Sequence, residues 1–162
     1  MSLANSVLST LRERRETLAV SESVTGGGIS NAITEVEGAS HSFLGGVVAY
    51  SRESKVRDLS IAENIIDQFG IYSEEVAVAM ARGVRSRFNS DWAISTTGVG
   101  GPGDSHGVKP GRIWVAFIGP DSQETLFLQL TGTRQQVRIG AVESIFPAFE
   151  RILSRRTNLP NG

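Results

Sequence analysis

The sequence predicts an α/β fold, a single layered α/β/α domain built on a mixed, largely parallel sheet. Short apolar segments of strand length alternate along the chain with segments whose apolar residues recur at helical spacing. The chain has 162 residues, of which 40% are hydrophobic and 20% charged, enough for one domain with a substantial core. Only a short turn, Gly119–Ser122, separates the last two predicted strands, so they are expected to pair antiparallel.

The first half of the chain alternates helix and strand. Apolar residues recur at helical spacing from Leu3 to Leu11 and predict the first helix. Gly45 and Gly46 lie within a strand pattern and indicate a bulge or a close approach of two backbones. The elements predicted here are helices over 3–15, 26–36 and 52–61 and strands over 17–21 and 42–51.

The second half contains the clearest helix of the chain, over 73–88. Ser73 is a suitable N-cap, and Glu74 and Glu75 complement the helix dipole in the first turn. Pro147 is expected to kink the last helix or to mark a break in it. The other predicted elements are strands over 91–99, 112–119 and 125–130, a helix from 134 to about 154, and a frayed tail over 154–162, so that the single domain of 1–162 has its core in about 5–153.

Composition excludes several classes of function. The formal net charge of −1 provides no field that would hold nucleic acid or a membrane surface. The absence of cysteine excludes disulfides, thiolate nucleophiles and thiolate metal ligands. No apolar run approaches the roughly 20 residues that span a bilayer, and the N-terminus lacks the features of a signal peptide. We therefore expect a cytoplasmic protein.

The first stretch with chemical potential is SESVTGGG, residues 21–28, where a predicted strand meets a predicted helix. Backbone N–H groups at a glycine-rich helix start have no intrahelical partner and can bind an anion or an oxyanion. The alternative is a plain helix cap whose glycines only allow close packing. The stretch is neither a P-loop nor a dinucleotide fingerprint, because no Gly-Lys-Ser/Thr follows and the glycines are contiguous.

Two further stretches follow predicted strands. In YSRESK, Tyr50 and Lys55 can move protons if partial burial lowers the pKa of the lysine; otherwise they are a strand-end tyrosine and a surface lysine. In TTGVGGPGDSHGVKPGR, residues 96–112, the glycines can form a nest for a phosphate, or the segment is a long loop between strands. The two histidines, His41 and His106, lie in no motif, so a Ser-His-Asp triad and a zinc site are both weakly indicated.

Taken together, these stretches resemble the CinA carboxy-terminal domain family, which includes stand-alone nicotinamide-nucleotide amidohydrolases. The resemblance covers about residues 5–153 in the order of the family. It is carried by SESVTGGGISNAITEVEGASHSFLGGVVAYSRESK, YSEEVAVAMARGVRSRF, AISTTGVGGPG and KPGRIWVAFIGP. The combination of Glu-Ser-x-Thr-Gly-Gly, Tyr-Ser-x-Glu-x-Lys and Thr-Gly-x-x-Gly-Pro-Gly is specific, although each part alone is weak.

The resemblance implies hydrolysis of the carboxamide of nicotinamide mononucleotide to nicotinate mononucleotide and ammonia, without metal or cofactor. It implies Ser23 as nucleophile, Lys55 as its basic partner and Tyr50 as an aid to proton transfer. Amides at Thr25–Gly27 would stabilise the oxyanion, the 98–103 loop with Arg134 or Arg138 would hold the phosphate, and Ser21 and Glu22 would support or cap the turn. The candidate substrate-binding residues are Thr25, Gly26, Gly27, Gly46, Thr97, Gly98, Gly100, Gly101, Gly103, Arg134 and Arg138.

The sequence departs from the family pattern at two positions. Val24 replaces the usual cysteine after the proposed nucleophile, and Arg112 adds a charge before a late strand, where it can alter affinity or substrate choice. A non-catalytic nucleotide-phosphate-binding module and an amidohydrolase for another small amide remain alternatives. The resemblance also implies a homo-oligomer, with a dimer favoured, acting on a small-molecule nucleotide.

Overall fold

The described part of the chain forms one five-stranded sheet with helices on both faces. A computed structural model describes residues 2–157. Its strands are β1 (Leu18–Glu22), β2 (Phe43–Val48), β3 (Trp92–Gly98), β4 (Arg112–Gly119) and β5 (Ser122–Gln129). Its helices are α1 (Asn5–Arg14), α2 (Gly28–Thr34), α3 (Arg52–Leu59), α4 (Glu63–Phe69), α5 (Glu74–Phe88) and α6 (Arg134–Thr157), with a 3₁₀ turn at Ala39–His41.

The sheet has the order β2–β1–β3–β4–β5 and is mixed, as predicted. β1 lies between β2 and β3 and pairs with both in parallel, while β4 is antiparallel to both of its neighbours. Four strands therefore run in one direction and β4 runs in the other. The carboxyl ends of β1, β2 and β3 meet at one edge, which is where open α/β sheets bind ligands.

Two hydrophobic clusters hold the helices against the two faces of the sheet, which confirms the layered α/β/α prediction. α1, α2 and α6 cover one face, and α3, α4 and α5 cover the other. On the first face, Phe149 of α6 meets Trp92 edge-on at a centroid distance of 5.2 Å and stacks on Phe117 at 5.7 Å. These fully buried rings fix α6 to the sheet.

The glycine pair in β2 provides both features expected of it. The register between β1 and β2 shifts by one residue near the start of the two strands, so the strand contains a bulge. A Cβ at Gly45 would lie 2.8 Å from the ring of Phe88, and one at Gly46 would lie 2.7 Å from Val20. Side chains at these positions would force the strand away from its neighbours.

Local capping explains why the best-predicted helices begin where they do. The Ser73 hydroxyl accepts a hydrogen bond from the Val76 amide at 3.2 Å and begins α5 one residue after the cap. Ser51 and Ser54 form a reciprocal capping box at the start of α3. The capping box of Ser51 and Ser54 fixes the start of α3, the helix that carries Lys55, and so helps to position that side chain.

Three details of the sequence prediction are wrong. The sequence predicts no element where α4 (Glu63–Phe69) lies, and the first helix begins at Asn5, leaving Leu3 half-exposed outside it. α6 runs unbroken through Pro147, so the break is wrong, while the kink expected as its alternative stays a prediction. Proline removes only one backbone donor, and the flanking Ile145, Phe146 and Phe149 are buried in the core.

The carboxyl-terminal tail also differs from its prediction. Residues 154–157 continue α6, while 158–162 of the predicted frayed tail lie outside the described residues.

Within residues 2–157, no helix has the length and apolarity that crossing a membrane requires.

Candidate active site

The candidate site lies at the edge where the carboxyl ends of the three parallel strands meet. Ser23 directly follows β1, and its amide donates to the Thr96 carbonyl of β3 at 3.1 Å. On the other side, the Ala49 amide donates to the Glu22 carbonyl at 2.8 Å, so β2 is held to β1 up to Tyr50. The serine is thus fixed between two strand ends.

The structure brings Ser23 and Lys55 together across 32 positions of sequence. Lys55 Nζ lies 3.0 Å from Ser23 Oγ and donates a second hydrogen bond to the Ala49 carbonyl at 2.9 Å. Both residues are buried, Lys55 completely and Ser23 with 4% of its surface exposed. This distance is within the range that direct proton transfer between the two groups requires.

The surroundings of Lys55 favour its neutral form. Its two hydrogen-bond partners, a hydroxyl and a carbonyl, carry no charge. Burial lowers the pKa of Lys55 from 10.5 to about 8, because the ammonium loses its hydration. A lysine with a pKa of about 8 is neutral in roughly a tenth of molecules at pH 7. It can therefore act as a base at physiological pH, which an ordinary surface lysine cannot.

The carboxylate of Glu22 occupies the N-terminus of α2, as the capping role predicted for it requires. Its two oxygens accept hydrogen bonds from the Gly27, Ile29 and Ser30 amides at 2.9–3.0 Å and from the Ser30 hydroxyl at 2.8 Å. The side chain is fully buried. The positive end of the α2 dipole is therefore neutralised within the protein and is not free for a ligand anion.

This arrangement corrects the expectation for the oxyanion donors. Of the amides at Thr25–Gly27, that of Gly27 donates to Glu22 at 3.0 Å and that of Gly26 donates to the Ser23 carbonyl at 3.0 Å. The amides of Val24 and Thr25 donate no hydrogen bond to any of residues 2–157, although both residues are buried. An unpaired N–H in a buried residue is uncommon and indicates a site for an incoming acceptor.

The threonines of β3 serve the structure. The Thr96 hydroxyl lies 2.8 Å from that of Thr25 and links the end of β3 to the turn. Thr97, predicted to bind substrate, is fully buried and donates its hydroxyl to the Ile71 carbonyl at 2.9 Å. Its side chain is therefore committed to packing.

The hydroxyl of Tyr50 forms no hydrogen bond with Ser23 or Lys55. Its side chain is 57% exposed, and its hydroxyl accepts a hydrogen bond from Arg134 at 2.6 Å. The same guanidinium donates to the Gly101 carbonyl at 2.8 Å. Arg134 therefore connects the segment after β2 with the loop after β3. This geometry does not support the direct role in proton transfer that was expected of the tyrosine.

The predicted binding glycines fall into two groups. Gly46 and Gly98 are packing positions, since a Cβ on Gly98 would lie 2.4 Å from the Arg112 carbonyl oxygen. Gly100 and Gly101 lie beside Arg134 and Pro110, and a Cβ on Gly103 would meet nothing within 4 Å. Among residues 2–157, the predicted binding glycines that border open space are Gly103 in this loop and Gly27 at the start of α2.

Arg138 contacts the turn itself. Its Nε donates to the Val24 carbonyl and its Nη2 to the Thr25 carbonyl, both at 3.1 Å. A Cβ on Gly26, which has a φ of 56°, would lie 3.1 Å from Arg138 Nη2. The guanidinium is therefore engaged with the backbone, which argues against the phosphate-binding role considered for it from the sequence.

Neither histidine reaches the pair. His41 bonds the Gly38 carbonyl, and His106 lies against Tyr72 and Ser105 in the 99–111 loop. Within residues 2–157, no three acidic or histidine side chains cluster closely enough to hold a metal ion.

Sequence reasoning missed two parts of the site. The Ala49 carbonyl that holds Lys55 and the Thr96 hydroxyl that holds Thr25 come from neighbouring strands. Both strands were predicted, but strand order and register decide which residues meet, and no local signal encodes them.

Comparison with known proteins identifies the family. The sequence model of the CinA C-terminal domain matches residues 1–153. The chain belongs to this family. A CinA-like protein of Frankia casuarinae is 39% identical over 161 residues, covering 99% of this chain and 36% of that protein. A CinA-like protein of Prochlorococcus marinus is 47% identical over 120 residues, 74% of this chain and 28% of that protein.

Solved structures of the same family share the fold. The crystal structure of competence damage-inducible protein A (ComA) from Klebsiella pneumoniae superposes with a TM-score of 0.91 at 26% identity, covering 94% of this chain and 95% of that one. The competence or damage-inducible protein from Enterobacter asburiae gives a TM-score of 0.90 at 27% identity, covering 93% and 96%. The chain spans about a third of the length of the CinA-like relatives from Frankia and Prochlorococcus.

Proposed function

We propose that this chain is an amidohydrolase that converts nicotinamide mononucleotide to nicotinate mononucleotide and ammonia. The observation that carries the proposal is the 3.0 Å contact between Ser23 Oγ and the buried Nζ of Lys55. A serine hydroxyl becomes a nucleophile when a positioned base takes its proton, and a desolvated lysine is such a base. Membership of the CinA C-terminal domain family supports the substrate through the resemblance described above.

The reaction uses the pair twice. Neutral Lys55 takes the proton of Ser23 as Oγ bonds to the carboxamide carbon, and the carbonyl oxygen becomes an oxyanion. The Lys55 ammonium then protonates the nitrogen, the C–N bond breaks, and ammonia leaves an ester on Ser23. In the second half, neutral Lys55 takes a proton from water as the water oxygen bonds to the ester carbon. The bond between that carbon and Ser23 Oγ then breaks, the Lys55 ammonium returns its proton to Oγ, and the acid leaves and ionises to the carboxylate in solvent.

The oxyanion is stabilised by the amides of Val24 and Thr25. They adjoin the nucleophile in sequence and have no acceptor among residues 2–157. Donors placed in advance at a buried site stabilise developing charge without reorganisation, and removing one typically costs about 3–4 kcal/mol of barrier.

The phosphate of the nucleotide binds at the 99–103 loop and Arg134. Arg134 is exposed, and its hydrogen bonds are to a tyrosine hydroxyl and a carbonyl, so no acid among residues 2–157 neutralises its charge. The open space at Gly103 leaves room for the phosphate oxygens. Tyr50, bonded to Arg134, contacts the ligand and does not carry the proton.

The test is ammonia release by the purified protein from nicotinamide mononucleotide, free nicotinamide and glutamine. We expect turnover of the nucleotide, little of the other two, and loss of activity in Ser23→Ala. Ser42→Ala is the matched control, because Ser42 is also buried and its hydroxyl bonds to none of residues 2–157.

The other outcomes select among the alternatives. Faster turnover of another amide would move the proposal to that substrate. Nucleotide binding without ammonia release would favour a non-catalytic binding module. Activity that survives Ser23→Ala would remove the mechanism.

A further inference from the structure

A cation from α6 contacts the back of the nucleophile turn, although the chemistry lies on the front. α6 packs on the face of the sheet opposite to α3 and α5. Lys55 approaches Ser23 from the α3 side, whereas Arg138 approaches the next two residues from the α6 side. The turn is therefore held between two basic side chains of different function.

The contact with Arg138 determines the direction of an amide. The Val24–Thr25 peptide is trans, so its carbonyl and its N–H point in opposite directions. Arg138 Nε holds the Val24 carbonyl toward α6 at 3.1 Å. The Thr25 N–H must therefore point away from α6, toward the side on which Lys55 meets Ser23.

We propose that Arg138 is a positioning residue that keeps the Thr25 amide aimed at the oxyanion. The proposal rests on the proposed function for its substrate. Arg138 touches no reacting atom; it prevents the peptide from rotating and presenting its carbonyl to the site. The second hydrogen bond, from Nη2 to the Thr25 carbonyl, fixes the next peptide as well.

Neighbouring features agree with a fixed turn. Gly26 follows Thr25 with a φ of 56°, and any side chain there would press on the Arg138 guanidinium. On the other side, the Glu22 carboxylate anchors the Gly27 amide at 3.0 Å. Only the Val24 and Thr25 amides of this segment are left unpaired within residues 2–157. The other amides of the turn form hydrogen bonds that hold the Val24 and Thr25 amides in position.

The experiment compares Arg138→Gln and Arg138→Lys with the parent. Lysine keeps the charge but cannot reach both carbonyls, and glutamine loses the charge and the fork of donors. Arg151→Gln is the matched control, because Arg151 is an exposed arginine of the same helix far from the turn. Each variant is assayed with nicotinamide mononucleotide and with the phosphate-free nicotinamide riboside.

We expect kcat to fall about 10- to 100-fold in both Arg138 variants, as misplacement of a catalytic donor does. KM and the preference for the phosphorylated substrate should stay unchanged. A rise in KM for the mononucleotide with unchanged kcat, and a lost preference over the riboside, would overturn the inference and show that Arg138 binds phosphate.

A second measurement does not depend on the natural substrate. A small uncharged organophosphorus fluoride reacts with an activated serine: an Oγ–P bond forms, the P–F bond breaks, fluoride leaves, and Lys55 takes the serine proton. The phosphoryl oxygen then occupies the position of the oxyanion. We expect the labelling rate, followed by intact mass, to fall in the Arg138 variants by the same factor as kcat and to stay unchanged in Arg151→Gln.

The two measurements separate the possible failures. Labelling of the parent without any deamidation would contradict the proposed substrate and leave the labelling rates to decide the role of Arg138. Equal labelling of parent and folded Arg138 variants would contradict the inference. No labelling of the parent would contradict both.

Discussion

The turn after β1 and the loop after β3 lie side by side at the same edge of the sheet but are built differently. In the turn, residues 22–30, a buried carboxylate, neighbouring strands and Arg138 bind nearly every backbone polar group. In the loop, residues 99–111, the backbone hydrogen bonds lie at its two ends and in the Ser105–Val108 bridge. A Cβ on Gly103 or Gly107 would lie within 4 Å of no atom of residues 2–157, and in the turn this holds for Gly27 alone. The tightly bonded turn is suited to hold catalytic groups in position, and the more open loop is suited to bind a ligand.

This difference indicates where substitutions should act. Changes in the turn should lower kcat or stability, because its groups hold the nucleophile and its donors in position. Changes in the loop should alter KM or substrate preference, because the loop borders open space.

The largest effect is expected from Lys55→Met. The variant removes the base that activates Ser23 while keeping the apolar stem of the side chain, so kcat should fall at least about 1,000-fold, within the range for general-base catalysis. Ammonia release measures it. Residual activity within about ten-fold of the parent would mean that another group takes the proton.

The pH dependence of the free energy of unfolding tests the lowered pKa of Lys55, with Lys55→Met as the comparison. Burial lowers the folded-state pKa of Lys55 to about 8, whereas the unfolded chain keeps a value of about 10.4. Between these values the unfolded chain binds more protons, so the parent gains stability as pH rises, by up to about 3 kcal/mol. Urea unfolding at several pH values should show no such gain in Lys55→Met. If the free energy of unfolding of the two proteins rose in parallel with pH, the lowered pKa of Lys55 would be contradicted.

Glu22→Gln should give the next largest effect. The carboxylate accepts four hydrogen bonds at the N-terminus of α2, and an amide would lose the charge and place a donor against donors. We expect a loss of about 2–3 kcal/mol in the free energy of unfolding, measured with urea. Ser30→Ala removes only one of the four donors and should cost about 1 kcal/mol. Equal losses in both variants would contradict a central role for the carboxylate.

Arg134→Ala tests the loop side of the comparison. Loss of its charge should raise KM for nicotinamide mononucleotide about ten-fold, with kcat nearly unchanged, because the guanidinium binds phosphate in the ground state and the transition state alike. Arg151→Ala is the matched control, since Arg151 is an exposed arginine of the same helix that lies far from the loop. Similar effects of both substitutions would indicate a general charge effect instead of a phosphate contact.

The smallest effects are expected from alanine substitutions at two glycines, one in the turn and one in the loop. Gly26→Ala places a side chain at a φ of 56° and 3.1 Å from Arg138, and should cost about 1–2 kcal/mol of stability. Gly103→Ala enters open space without a left-handed φ and should change stability by less than about 0.5 kcal/mol. Thermal unfolding measures both. A larger cost at Gly103 would show that the loop is as tightly packed as the turn.

The sequence was sufficient for elements with strong local signals. The amphipathic pattern and the Ser73 cap predict α5, and the apolar run 112–119 predicts β4 with its observed bounds. α4 was missed because Ile65 and Ile66 give a short pattern without a cap, and its N-cap makes no side-chain hydrogen bond. The break at Pro147 was wrong because burial of the flanking aromatic residues outweighs one lost backbone hydrogen bond.

The site was predictable in its residue types but not in its contacts. The motifs name Ser23 and Lys55, yet their meeting depends on β2 lying next to β1 and on the cap of α3. Arg138 contacts the turn across 113–114 positions of sequence. The sequence offered it as a phosphate ligand, whereas the structure shows it bonded to two backbone carbonyls. Such contacts depend on tertiary geometry, which no local pattern records.

The pH dependence of kcat/KM for ammonia release from nicotinamide mononucleotide tests the Ser23–Lys55 mechanism most directly. The mechanism predicts a rise controlled by one group with a pKa of about 8, so that kcat/KM at pH 8 is about five times its value at pH 7. The rate should level above that range, where Lys55 is neutral in most molecules. A profile that is flat from pH 6 to 10, or that rises with a pKa near 6, would contradict Lys55 as the base.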